Sequence, residues 1–242
     1  MMDFSKDSLY FMPIKAPLSP EKYNIYADRI SPERRHQLCR YPYENRRTLG
    51  LYAELLIRSI ACQRSGLRNH QLKWCTTSSG KPYLGNINGF HFNITYAEAA
   101  AAVAVSGAPI GIDIEPLTAM IPSIYRRCFS PAEQEYLRGD PANADRRFYE
   151  IWTRKEAYVK FTGTGIPLSA GCCAALDTCS IISSKLELNL DTSSGNKYQI
   201  FFQTFQLLHY MISVCKTHAA DIKLIEVTQQ EVDDLAATLD TV

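Results

Sequence analysis

Three carboxylates and a lysine, carried on two short segments, are the residues of this chain best suited to chemistry. In Ile110-Gly111-Ile112-Asp113-Ile114-Glu115-Pro116 the isoleucines alternate, as on a half-buried strand. Asp113 and Glu115 then share the opposite face beside Gly111, and Pro116 ends the strand, which puts the pair at its rim. Two carboxylates at i and i+2 repel each other unless a cation or water screens them. Taken alone, the pattern reads first as an edge strand with a solvated acidic face.

The second segment is Trp152-Thr153-Arg154-Lys155-Glu156-Ala157-Tyr158-Val159-Lys160. On a helix Trp152, Glu156 and Lys160 fall at i, i+4 and i+8, hence on one face. A surface Glu–Lys pair is the plain reading. The apolar neighbours Ala157, Tyr158, Val159 and Phe161 favour a pair that faces a cleft. Together Asp113, Glu115 and Glu156 offer three hard oxygen ligands. Magnesium takes a few carboxylates and completes its octahedron with water and substrate phosphate. Lys160, on the same face, would stand near that phosphate.

The elements that must position these groups can be read from periodicity and caps. Leu9–Ile14 reads as a strand, and Ser31-Pro32-Glu33 as a capped helix start. Residues 43–65 have amphipathic helical spacing. Short strands are expected at 72–75, 91–96, 100–105 and 110–115. Ser130-Pro131-Ala132-Glu133 is a capping-box start. A longer helix over 145–162 stops at Gly163-Thr164-Gly165, which lacks the third glycine of a dinucleotide fingerprint. Strands follow near 186–190, 198–205, 210–214 and 222–227, then a terminal helix over 229–239. Each half thus runs short helix, long helix, strands. That predicts an α+β fold of two similar lobes, residues 1–108 and 109–242, divided near Gly107-Ala108-Pro109.

Bulk properties narrow the class. With 242 residues, 46% hydrophobic and 21% charged, the composition is that of a soluble globular chain. The longest apolar run, 99–105, is far below the roughly 20 residues of a membrane helix. The first fifteen residues lack a basic start followed by an apolar stretch, so a cytoplasmic location is expected. Cys39, Cys62, Cys75, Cys128 and Cys215 are scattered, and Cys172, Cys173 and Cys179 form no C-x-x-C pair, which predicts reduced thiols. Residues 1–108 carry 14 Lys and Arg against 8 Asp and Glu, a balance of +6; residues 109–242 carry 12 against 17, a balance of −5. The first half suits phosphates and the second a cation. No DNA- or RNA-binding motif accompanies the basic half, so neither nucleic acid nor a membrane is expected as partner.

GIDIE (111–115) and WTRKEAYVK (152–160), with FSPAEQEYL (129–137) between them, closely resemble phosphopantetheinyl transferases of the surfactin-synthetase-activating type. The resemblance runs upstream through SPERRHQLCRY (31–41), RRTLG (46–50), GKPYL (80–84) and FNITYAE (92–98). It implies two pseudo-twofold-related lobes, each a long helix on a small antiparallel sheet; the pseudo-repeat predicts a monomer, because two lobes can form one site within a single chain. It implies transfer of 4′-phosphopantetheine from coenzyme A to a serine of an apo acyl or peptidyl carrier protein, releasing adenosine 3′,5′-bisphosphate. Asp113, Glu115 and Glu156 match the family's Mg2+ ligands. Glu156 also matches the base, and Lys160 the lysine that stabilises the departing diphosphate. Lys81, with Pro82, matches a coenzyme A phosphate contact; Arg34 falls at a 3′-phosphate contact, and Arg47 and Thr48 along the nucleotide. Thr95 stands where serine is usual. Tyr96 stands where FNISH has histidine, and at neutral pH it carries no positive charge. The segment 118–137, with Arg126, Arg127 and Phe129, is a place to dock the carrier. Two other readings share these residues: a magnesium-dependent hydrolase of a nucleotide diphosphate, and a coenzyme A-binding module with impaired catalysis.

Overall fold

A computed structural model describes residues 7–163, 181–183, 185–189 and 197–242. The residues form two compact units, Met1–Ala108 with Ile222–Val242, and Pro109–Asp221. In chain order the first unit contains β1 (Ser8–Pro13), α1 (Pro20–Ala27), α2 (Pro32–Cys39), α3 (Glu44–Ser65), β2 (Trp74–Thr76), β3 (Pro82–Leu84), β4 (His91–Ala97) and β5 (Ala100–Ser106). The second contains β6 (Ile110–Pro116), α4 (Pro122–Cys128), α5 (Pro131–Arg138), α6 (Ala144–Thr162), β7 (Lys185–Asn189), β8 (Lys197–Leu207) and β9 (Tyr210–Lys216). The chain then returns to the first unit with β10 (Lys223–Glu226) and α7 (Gln229–Ala237). The architecture is α+β, with one long helix on one four-stranded sheet in each unit.

Residues 222–242, expected in the second lobe, group with the first unit instead. β1 pairs antiparallel with β5 on one side and parallel with β10 on the other, giving the order β10-β1-β5-β4. The first sheet is therefore mixed rather than purely antiparallel. β10 covers the open edge that β1 would otherwise present. Val232, Ala236 and Leu239 join the first unit's core with Tyr52, Leu55 and Leu56 of α3.

The caps act as the sequence implies. Ser31 accepts from the Arg34 amide at the start of α2, and Ser130 and Glu133 cap α5 reciprocally. The same Ser-Pro-Glu signal at Ser19-Pro20-Glu21 starts α1, a helix the periodicity did not announce; α4 is a second. α3 departs from amphipathic expectation. It is buried on every side from Thr48 to Ala61, because α1, α2, α7 and the sheet surround it. Glu54 and Arg58, on successive turns, are enclosed as an ion pair at 3.0 Å.

In the second unit the order is β6-β9-β8-β7, antiparallel throughout. α6 lies across β6 and β9 and ends at Gly163, whose φ of 71° is left-handed and suits glycine. Thr164 and Gly165, like Cys172, Cys173 and Cys179, lie outside the described residues. The five described cysteines are free thiols. No described helix is long and apolar enough to cross a membrane.

Candidate functional site

The strand that carries Asp113 and Glu115 is an edge strand, but its acidic face is not solvated. Alternation along β6 turns Gly111, Asp113 and Glu115 towards α6. Gly111 lets the two backbones touch. A Cβ there would stand 2.1 Å from the Ala157 carbonyl oxygen and 2.4 Å from the Phe161 amide nitrogen. With helix and strand so close, Asp113 is only 3% exposed. The stripe Trp152, Glu156, Lys160 then runs along the carboxylates. Trp152 Nε1 donates to Glu115 Oε1 at 3.3 Å, and Lys160 Nζ donates to Asp113 Oδ1 at 2.5 Å.

The electrostatic consequence is pronounced. Burial first, and then the charge of Asp113, raise the Glu115 carboxyl to about 7, against the pull of the Trp152 N–H and Lys160. Glu156 is raised to about 7 as well, by burial, then by Asp113, with Lys160 opposing and Glu115 adding a little. The three carboxylates thus sense one another across the helix–sheet interface. Among the described residues, though, no three His, Cys, Asp or Glu side chains are gathered as a metal cluster. In this geometry the Lys160 ammonium neutralises Asp113. The donor set still fits a hard divalent cation: all ligand atoms would be carboxylate oxygens, and both glutamates are held against ionising by burial and by the Asp113 charge.

Residues that sequence reasoning passed over hold this arrangement. Asp113, Ser213 and Thr204 stand side by side across β6, β9 and β8. Thr153 shares a 2.7 Å hydrogen bond with Ser213, which shares one of 3.0 Å with Thr204. Arg154 donates to Thr204 Oγ1 at 2.9 Å and to Glu150 at 2.7 Å, and also caps the carbonyls of Ile181 and Ile182. This polar row keys the rotation of α6 about its axis. Lys155, 3% exposed, reaches the Cys128 carbonyl at 2.6 Å and Glu133 at 2.9 Å. Glu133 therefore caps α5 and neutralises a lysine of α6 at once. The capping box was legible in the sequence; its second duty needed the fold.

Apart from Lys160, the expected coenzyme-binding residues lie in the first unit, and they do not all converge. Tyr96 and Arg47 line a cavity of about 750 Å³ with Pro17, Pro42, Tyr43, Glu44, Arg46 and Glu98. Arg47 and Thr48 also line a neighbouring cavity of about 200 Å³. The Thr48 hydroxyl is committed within the protein, accepting from the Leu18 amide at 3.0 Å. Arg34 donates to the fully buried Glu54 at 2.8 Å, and Glu54 is bonded in turn to Arg58. Thr95 and Tyr96, being consecutive on β4, point to opposite faces of the sheet. Pro82 opens β3 of the separate β2–β3 ribbon, Lys81 precedes it in the connecting turn, and neither lines either cavity. Burial and then the Lys81 charge hold the His91 imidazole below its usual range, so Lys81 stands near His91.

The model of a family described as the 4′-phosphopantetheinyl transferase superfamily matches residues 109–215, and that of the 4′-phosphopantetheinyl transferase N-terminal region matches 17–107. Over 213 residues the chain is 28% identical to a 4′-phosphopantetheinyl transferase of Bacillus subtilis, spanning 87% of this chain and 92% of that protein. It is 38% identical over 128 residues to the 4′-phosphopantetheinyl transferase psf-1 of Bacillus pumilus, spanning 52% and 54%. It is 39% identical over 118 residues to the 4′-phosphopantetheinyl transferase HetI of a Nostoc species, spanning 46% and 50%.

Proposed function

This chain belongs to the 4′-phosphopantetheinyl transferase superfamily, and we propose that it moves 4′-phosphopantetheine from coenzyme A to a serine of an apo acyl or peptidyl carrier protein. The observation that carries the reading is the meeting of two distant segments: Lys160 on Asp113, Trp152 on Glu115, and Glu156 within their field.

The roles follow from charge and position. The carrier serine gives its proton to Glu156 as its oxygen attacks the β-phosphorus of coenzyme A. A serine O–P bond forms and the phosphoanhydride P–O bond breaks. Adenosine 3′,5′-bisphosphate leaves with the bridging oxygen, whose charge Lys160 stabilises. Burial and the Asp113 charge strengthen the Glu156 carboxylate as a proton acceptor, and a bound cation would act against them. Asp113, Glu115 and Glu156 would hold Mg2+, which when bound neutralises diphosphate oxygens. Lys160 would then exchange part of its bond to Asp113 for one to the substrate. Arg47 and Tyr96, on the wall of the large cavity, would meet coenzyme A first; Lys81, Pro82, Thr48 and Thr95 would complete the contact, and Arg34 would reach a phosphate only by sharing its bond to Glu54. Residues 118–137 receive the carrier. The protein works in the cytoplasm as a monomer.

The test is intact mass spectrometry of an apo carrier incubated with this protein, coenzyme A and magnesium, with and without chelator. A gain of one phosphopantetheine, lost with chelator, is expected. No gain on either carrier type would refute the transferase reading, and a chelator-resistant gain would refute the metal.

A further inference from the structure

Arg46 is absent from every role assigned above, yet it is the most constrained cation in the large cavity of the first unit. Its guanidinium carbon lies 3.4 Å from the centroid of the Tyr96 ring and 4.5 Å from that of Tyr41. The two aromatic faces hold it through their negative quadrupoles. A guanidinium stacked in this way keeps its N–H donors at its edge, in a fixed plane, and the stacking has already frozen a side chain that is otherwise rich in rotamers.

Charge accounting around Tyr96 separates Arg46 from its neighbour. Arg34 and Arg46 both act on the Tyr96 hydroxyl, opposing the upward push of burial. Arg34 is neutralised by Glu54 at 2.8 Å. Arg46 makes no ion pair among the described residues; its Nη1 is buried near Gly50 and the guanidinium lies by the Tyr96 hydroxyl, while the residue itself lines the cavity. Glu44 and Glu98 line the same cavity without bonding it. The cavity, about 750 Å³, has the volume of a ligand site, and Arg47 adds a second guanidinium to its wall. A fixed, unneutralised, planar donor in such a cavity suits a phosphate.

We infer that Arg46, clamped between Tyr41 and Tyr96, binds a phosphate group of coenzyme A, with Tyr96 acting as its positioning residue. The inference rests on the transferase reading and adds a contact to it. Tyr96 then holds Arg46 chiefly through its ring, with its hydroxyl beside the same guanidinium.

The experiment measures transfer to an apo carrier, with kcat and KM for coenzyme A and for the carrier determined separately. Calorimetric titration of adenosine 3′,5′-bisphosphate, coenzyme A and dephospho-coenzyme A runs alongside. For Arg46→Met the KM for coenzyme A is expected to rise about 10- to 100-fold, with kcat and the carrier KM changed less than about threefold. Arg46→Lys recovers part of the loss, because it restores the charge without the plane. Tyr96→Leu, which removes the stacked ring, raises the coenzyme A KM. Weakened binding of coenzyme A but not of dephospho-coenzyme A assigns the 3′-phosphate; weakened binding of both, with adenosine bisphosphate little changed, assigns the diphosphate. A parent-like KM and binding constant for Arg46→Met, or a lower melting temperature with no change in KM, would overturn the inference. Absence of transfer by the parent protein would instead remove the transferase reading, while the calorimetry still reports on Arg46.

Discussion

A methyl group at Gly111 has no space to occupy. In Gly111→Ala the new carbon would meet the Ala157 carbonyl at 2.1 Å, the Phe161 amide at 2.4 Å and the Phe161 Cα at 2.8 Å. All three are backbone atoms of α6, so no side-chain rotation relieves the clash. Ordinary contact begins near 3.4 Å, so strand and helix must separate by about 1.3 Å. Overpacking of this kind costs about 1–3 kcal/mol. At roughly 2–4 °C per kcal/mol for a chain of this size, the melting temperature should fall by about 2–12 °C. The catalytic cost should be larger in proportion. Glu156 and Lys160 ride on α6 while Asp113 and Glu115 stay on β6. A misplacement of about 1 Å at a reacting centre is worth roughly 100-fold in rate. The assay is a time course of carrier phosphopantetheinylation by intact mass, with thermal melting of the same preparation. A variant still folded at the assay temperature, with kcat/KM down about 100-fold and mostly in kcat, is expected. If Gly111→Ala melted and reacted like the parent, the close approach of β6 and α6 could not be what aligns the site.

Glu156→Gln removes the proton acceptor and should lower kcat by about 100-fold or more while coenzyme A binding in calorimetry persists. The pH dependence of stability follows from Glu115 and Glu156, both raised to about 7 when folded against 4.5 as free groups. The folded state binds these protons more tightly, so their stabilisation is fully present below about pH 4.5 and is lost as pH rises through 7. Melting temperature in chelator should therefore decline between pH 5.5 and 8.5, the double variant Glu115→Gln/Glu156→Gln should decline less, and added magnesium should restore the parent at high pH. Glu54→Gln leaves Arg58, 1% exposed, beside a neutral amide in the core of the first unit. Breaking such a buried pair costs about 3–5 kcal/mol, which thermal or urea unfolding would register. A parent-like unfolding midpoint would show that Arg58 finds another counter-charge.

What the sequence determines alone is local. Ser31 and Ser130 announce helices because a side-chain oxygen and an amide three residues on are neighbours whatever the rest of the chain does. Gly163 stops α6 because it alone relaxes at φ 71°. The spacing of Trp152, Glu156 and Lys160, and of Asp113 and Glu115, follows from the helix and strand repeats, so each functional stripe was legible before any packing was known. The partners of those stripes were not. Lys160 bonds Asp113, 47 positions away, because Gly111 admits the helix backbone to the strand. Arg34 bonds Glu54 because α3 is walled in on all sides and carries its acid inside. Residues 222–242 join the first unit because β1 has an open edge and α3 an unfilled apolar flank. Arg46 sits between Tyr41 and Tyr96 because β4 brings a ring over the start of α3. Repeats and caps act over a few residues of chain, whereas burial, neutralisation and stacking depend on which distant surfaces meet, and only the packed tertiary structure decides that.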